Sequence, residues 1–277
     1  MANFPTPESL PDFLAWKPPY VQQLISHRLL VPQGKIEIFG PYKSWKSMTA
    51  IDLAFSLSTG TPWLGMNTHM STVLVVQLEI PKFAYQDRIR KYALGNHSNP
   101  STNLYLQTIR NLKLDKGWGK ELMYQWITMS QAQVIIIDPL YKVISGRLTD
   151  EWDMRQFTDS MDEVIDKTGV SVVIIHHEGK EMVIEGEKYD RGADASFGSA
   201  VLGWWIDSSI QLRAEFEGSN NINVRFPLLR LSEDDIKPMK VNINRNNLVF
   251  TKMEQEETND IYIQLPNMPT LPINPNV

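Results

Sequence analysis

Residues 34–59 constrain the fold of this 277-residue chain more than any other stretch. Gly34-Lys35-Ile36-Glu37-Ile38-Phe39 has the apolar, β-favouring character of a buried strand. It runs into Gly40-Pro41-Tyr42-Lys43-Ser44-Trp45-Lys46-Ser47, and a helical pattern follows from Lys46 to Thr59, with Gly60 placed to cap it and Pro62 just beyond. A strand that turns sharply into a helix points backbone N–H groups and the positive end of the helix dipole at one spot, which suits a polyphosphate. The spacing meets the phosphate-loop pattern G-x-x-x-x-G-K-[ST] at every fixed position but one, where Trp45 replaces the second glycine. Lys46 is then the candidate for the β- and γ-phosphates and Ser47 for a Mg²⁺ ion. Gly40, Pro41, Tyr42, Lys43, Ser44, Trp45, Lys46, Ser47 and Met48 form the candidate binding segment for ATP. Trp45 leaves three readings open: a twisted, weakened loop, a ring that stacks on a base or on a neighbouring subunit, or a surface turn with no ligand.

The rest of the chain repeats the alternation. β-rich apolar runs fall at 35–39, 72–78, 104–107, 133–137, 171–175 and 208–213, and helical patterns at 46–59, 83–94, 116–130 and 152–167. Alternating strands and helices predict an α/β fold with a mainly parallel sheet flanked by helices. Val134-Ile135-Ile136-Ile137 and Val172-Val173-Ile174-Ile175 are apolar on successive residues, as central strands covered on both faces are. After residue 215 the composition shifts to Asn-rich, with strand signals at 221–226 and 241–243 that predict a closing β-hairpin. The beginning is Pro-rich and then reads as helical from Val21 to Leu30, a lead-in arm over residues 1–30. Residues 254–277, rich in Glu, Asn and Pro, read as a flexible tail.

In a parallel sheet the carboxyl ends of the strands share one edge, where ligands gather. Asp138 ends one apolar run and is the candidate metal-holding carboxylate; a helix cap is the plain alternative. Glu79 ends another and is a candidate general base, or else a cap for the helix from Phe83. His176 and His177 end a third, but adjacent residues of an extended chain point to opposite sides and no further ligand has metal-binding spacing. His177 is therefore read as a γ-phosphate sensor. The polar stretch 178–199, with Lys180, Lys188, Arg191, Gly192, Gly198 and Ser199, is a candidate DNA-binding loop whose acids offset much of its positive charge.

Composition excludes several classes. The chain has no cysteine, so thiol catalysis, thiolate metal sites and disulfides are out, in keeping with a cytoplasmic location. No apolar run reaches the length of a membrane span, and the first residues do not form a signal peptide. A net charge of −5 argues against a uniformly basic nucleic-acid binder while leaving room for a local basic channel built by several subunits.

Taken in order, GPYKSWKS, LVVQLE, VIIIDPL, VVIIHHEGK and RGADASFGSAVL resemble the RepA-type hexameric replicative helicases of the RecA-like P-loop ATPases, over about residues 15–250. The resemblance implies a RecA-like ATPase domain over residues 31–253, ATP and Mg²⁺, a homohexamer with nucleotide between subunits, and single-stranded DNA in its channel, with replication proteins as further partners. It assigns Lys46 and Ser47 to phosphate and metal, Glu79 to water activation, Asp138 to metal and His177 to γ-phosphate sensing. It also implies an arginine finger reaching the neighbouring subunit, for which Arg213, Arg225 and Arg230 are candidates and Arg225 is preferred. Trp45 departs from the family pattern and opens an alternative, a hydrolysis-impaired, nucleotide-gated DNA-binding or assembly protein. A kinase reading shares the loop but lacks an Arg-rich lid.

Overall fold

The computed structural model describes residues 6–17, 20–96, 101–179, 182–184, 187–189, 198–232 and 234–253. Its centre is a nine-stranded sheet. In chain order the elements are α1 (Leu10–Ala15), β1 (Lys35–Gly40), α2 (Lys46–Thr59), β2 (Val73–Gln77), α3 (Lys82–Gly95), β3 (Leu104–Thr108), α4 (Gly117–Ser130), β4 (Val134–Asp138), α5 (Glu151–Thr168), β5 (Ser171–His177), β6 (Met182–Ile184), β7 (Glu187–Tyr189), α6 (Ala200–Trp205), β8 (Ser208–Ala214), β9 (Asn221–Leu229), β10 (Met239–Ile243) and β11 (Phe250–Lys252). Across the sheet the order is β11-β10-β9-β8-β1-β5-β4-β2-β3. The block from β8 to β3 is parallel, and β9, β10 and β11 extend it antiparallel. The expected parallel core and C-terminal hairpin are both present, the latter grown by one further strand. A separate pair, β6 and β7, lies within the stretch read as a DNA loop. Residues 180–181, 185–186 and 190–197 of that stretch, and the tail 254–277, lie outside the described residues.

Period-two alternation explains the layering. Ile36, Ile38, Val73, Val75, Val134, Ile136, Val173 and Ile175 join one core with α2 and α3. Leu74, Val76, Ile135, Ile137, Val172 and Ile174, their neighbours in sequence, join the other with α4, α5 and α6. The strands had to be apolar throughout because both faces are covered. Helix α2 is buried along nearly its whole length under β1, β2, β4 and β5. It stops where Gly60 takes a left-handed φ of 71° and donates its N–H to the Ser56 carbonyl. Leu53 is fully buried there, and Leu53→Ala would cost about 2–5 kcal/mol.

The helix read over Val21–Leu30 does not form. The segment is a tight turn with His27 and Arg28 at positive φ, closed by bridges from Ile25 to Leu30 and Thr68. Leu24, Ile25, Leu29 and Leu30 mimic helical spacing but enter the α2 side of the core from both limbs of that turn. Residues 24–30 are thus packed into the body, while the helix that the arm carries among the described residues is α1, closer to the start and with no buried residue.

Candidate nucleotide-binding site

The loop between β1 and α2 is tight at its first residue. A Cβ on Gly40 would stand 2.1 Å from the Leu212 carbonyl oxygen of β8 and 2.8 Å from Ser44 Oγ, so the position tolerates only glycine. Lys43 and Trp45 take left-handed φ values of 61° and 65°. Trp45 therefore adopts the backbone conformation for which a glycine is ordinarily used, at a cost of about 1–2 kcal/mol. Side-chain contacts offset that cost. The Trp45 indole Nε1 donates to the Ser219 carbonyl at 3.0 Å, and the Arg245 guanidinium lies over its ring, 5.6 Å from the centroid. Arg245 in turn donates to Asn220 Oδ1 at 2.6 Å and to the Gly218 carbonyl. Lys43 pairs with Glu217 at 2.8 Å. Both left-handed loop residues are thus tied to the turn joining β8 and β9. Of the three readings of Trp45, the twisted loop is replaced by a tethered one.

The tethered loop presents donors. Among the described residues, none of the backbone N–H groups from Tyr42 to Ser47 has a hydrogen-bond acceptor, an arrangement that suits a phosphate chain. Lys46 is buried, and its Nζ donates to the carbonyls of Gly40 at 2.9 Å and Pro41 at 2.6 Å. Burial lowers its pKa to about 8, against the pull of Asp138, Glu178 and Glu79. Ser47 and the Asp138 carboxylate at the end of β4 line the same cleft. Burial raises Asp138 to about 6, with the nearby Ser47 hydroxyl acting the other way. A hydroxyl and one carboxylate, with phosphate oxygens completing the shell, are hard oxygen donors of the kind Mg²⁺ takes.

Glu79 and His177 complete the edge. Glu79 is exposed just past β2 and accepts a 2.9 Å hydrogen bond from the Tyr141 hydroxyl. His177 ends β5, its ring tilted against Tyr141 with centroids 5.8 Å apart. Burial first, and the Lys46 charge second, hold its pKa below the usual histidine range. His176 points the other way and is fully buried. Lys46, Ser47, Glu79, Asp138 and His177 all line one open cleft of about 780 Å³, together with Tyr42, Lys43, Ser44, Trp45 and Met48.

Arg213, Arg225 and Arg230 are not brought to this cleft. Arg213 forms an ion pair with Glu178 and Arg230 donates to the carbonyls of Trp204 and Gly203, while Arg225 lies exposed on β9 opposite Gln211. The cleft holds residues that the motifs did not single out: Arg88 and Lys91 of α3, and Gly218, Arg245 and Leu248 beyond the last parallel strand. The α3 pair lies on one helix face, a spacing visible in the sequence. Nothing in the sequence marks Arg245 or the turn that it braces.

Comparison with known proteins agrees with this geometry. A family model described as AAA domain, AAA_25, matches residues 3–183, well over half of the chain. The chain belongs to this AAA domain family. A search of curated proteins finds no match. Among solved structures, the AAA-domain chain is similar to the ATPase domain of G40P, at 13% identity and a TM-score of 0.59, covering 80% of this chain and 85% of that one. It is also similar to a KaiC-like protein from Pyrococcus horikoshii OT3, at 12% identity and a TM-score of 0.56, covering 83% and 94%. The RadB recombinase follows at 13% identity and a TM-score of 0.55, covering 80% and 92%. At these identities the likeness shows the fold, a RecA-like P-loop ATPase domain. Among the described residues no helix is long and apolar enough to cross a membrane.

Proposed function

We propose that this AAA-domain chain binds ATP with Mg²⁺ and hydrolyses it, and that it works as a RepA-type hexameric helicase or single-stranded-DNA translocase in replication. The observation that supports hydrolysis is the convergence of Lys46, Ser47, Glu79, Asp138 and His177 on one cleft from four different strand ends. The loop amides and Lys46 would hold the triphosphate, and Ser47 and Asp138 would hold Mg²⁺, whose charge would offset that of the phosphates. Glu79 orients and deprotonates the attacking water, with Tyr141 fixing its carboxylate. His177 stays neutral near pH 7 and can report the γ-phosphate through a hydrogen bond. Arg225, exposed on β9, is retained as the arginine offered to a neighbouring subunit.

The DNA half of the proposal is supported by the motif order, and the net charge of −5 makes a channel shared by several subunits the reasonable place for a strand. The alternative of impaired hydrolysis stood on Trp45, and the glycine-like backbone of that residue favours the hydrolysing reading. The test is ATP turnover by the full chain with and without single-stranded DNA, beside Lys46→Ala. DNA-stimulated turnover that Lys46→Ala loses is expected. A rate that does not change on adding DNA removes the motor, and nucleotide binding without repeated turnover would establish the alternative.

A further inference from the structure

Among the described residues the Glu79 carboxylate has one hydrogen-bond partner, the Tyr141 hydroxyl, which donates to Oε1 at 2.9 Å. The backbone of Glu79 is held separately, its N–H donating to Gln77 Oε1 at 3.0 Å. Tyr141 also lies against His177, so the residues read as acting on the attacking water and on the γ-phosphate share a neighbour. Tyr141 itself is only partly buried, in a single 3₁₀ turn, Leu140–Lys142, beyond the end of β4. A turn that short has too few hydrogen bonds of its own to fix where a ring points.

The rest of the hold comes from the segment before α4. Leu112 and Leu114, both fully buried, anchor that segment in the core, and Lys113 extends from between them to the turn. Its Nζ donates to the carbonyls of Lys142 at 2.8 Å and Ile144 at 2.7 Å, and the Leu114 N–H donates to the Val143 carbonyl at 2.8 Å. Asp115 accepts from the N–H and the hydroxyl of Ser145, each at 3.0 Å. The Leu114 carbonyl accepts from the Ser160 hydroxyl at 2.6 Å, which ties the segment to α5 in turn. Burial holds the Lys113 pKa below the ordinary lysine value, against the pull of Asp115. An ammonium withdrawn from water to donate to two carbonyls fixes a backbone path, here the one that carries Tyr141.

We propose that Lys113 is a positioning residue for hydrolysis: its grip on the turn holds Tyr141 and, through Tyr141, the Glu79 carboxylate. This rests on the ATP reading above. With Oε1 held by Tyr141, Oε2 takes the proton of the water as the water oxygen bonds phosphorus and the bridging oxygen leaves with ADP. Lys113 is not among the residues that line the cleft. Its effect therefore falls on turnover and not on affinity, because a base misplaced by about 1 Å can slow its step by roughly 10²-fold without loosening the phosphates.

The experiment is a double-mutant cycle on the full chain, with steady-state turnover and ATP titration of the parent, Lys113→Met, Tyr141→Phe and the pair, and thermal unfolding as the folding control. Met keeps most of the stem and removes the ammonium donors. Each single variant is expected to lower kcat about tenfold while ATP affinity stays within about twofold. Because one residue acts through the other, Lys113→Met should add less than about twofold in the Tyr141→Phe chain. Lys113→Arg, which can still donate to both carbonyls, should recover most of the loss. If Lys113→Met does not fold, Asp115→Asn, which loosens the same turn, takes its place in the cycle. An unchanged kcat in either single variant, an equal loss of affinity, or a loss that persists in full in the Tyr141→Phe chain overturns the proposal and leaves the ATP reading intact. A parent chain that does not turn ATP over overturns the hydrolysis reading, and this proposal with it.

Discussion

Lys43 and Trp45 each reach a partner 174 residues along the chain, in the turn after β8, whereas Glu79 and His177 share one partner, Tyr141, just past the end of β4 at the carboxyl edge of the sheet. The two walls of the cleft are thus built differently. The carboxylate wall follows from topology: parallel strands end together, so their last polar residues meet whatever the loops do. The phosphate wall depends on the antiparallel addition after β8, whose first turn ties down a loop that carries two non-glycine residues in left-handed conformations. The difference teaches that a substitution in the loop motif is compensated at a distance, outside the motif.

The largest expected effect tests whether the two walls act on one ligand. Lys46→Ala removes the charge that spans them and should lower ATP turnover by more than about 10³-fold, with loss of nucleotide affinity. If affinity and turnover both survive, the cleft is not the phosphate site. Glu79→Gln touches only the carboxylate wall. It should cut turnover by about 10²- to 10³-fold while ATP affinity changes little, measured by single-turnover kinetics beside titration. An equal loss of affinity would mean that Glu79 shapes the site and does not act on water.

A pH titration separates the walls without a mutation. Burial holds Lys46 at about 8 in the free chain, and a bound triphosphate would raise it again. Below about pH 8 the lysine is already charged and binding moves no proton. Above it the free lysine is neutral, so binding takes up a proton and ATP affinity falls with rising pH, by up to about tenfold per pH unit. Calorimetry in two buffers of different ionisation heat at about pH 8.5 should record that uptake in the parent and none in Lys46→Ala. No uptake in the parent would place Lys46 away from the phosphates.

The same division explains how much could be read in advance. Strands β1, β2, β4 and β5 were legible because two-sided burial forces unbroken apolar runs, and Asp138 and Glu79 were legible because each ends such a run. Helix α2 was legible at both ends, from the loop that precedes it and from Gly60. The turn at residues 24–30 was not, since Leu24, Ile25, Leu29 and Leu30 satisfy a helical pattern while packing from two limbs. Nor was the tether of Trp45, because a backbone carbonyl at Ser219 and a stacked Arg245 have no sequence signature. Arg88 shared a helix face with Lys91 in plain view, but only the cleft gives that face a meaning.

The smallest effects probe the tether itself. Trp45→Gly relieves a left-handed residue of about 1 kcal/mol of strain, yet it forfeits the indole hydrogen bond, the Arg245 contact and the partial burial of the ring. The losses outweigh the relief, so the variant should be less stable by about 1 kcal/mol, a fall of about 2–4 °C in Tm. Trp45→Ala loses the same contacts and keeps the strain, so it should lie below Trp45→Gly by about another 1 kcal/mol. The gap between those two variants measures the backbone cost, and the gap from parent to glycine measures the tether net of that cost. Glu217→Gln removes only the exposed pair with Lys43 and should change ATP affinity by less than about twofold. If Trp45→Gly instead matches or exceeds the parent in stability and binds ATP more tightly, the turn after β8 contributes nothing to the loop, and both walls of the cleft are products of the parallel sheet alone.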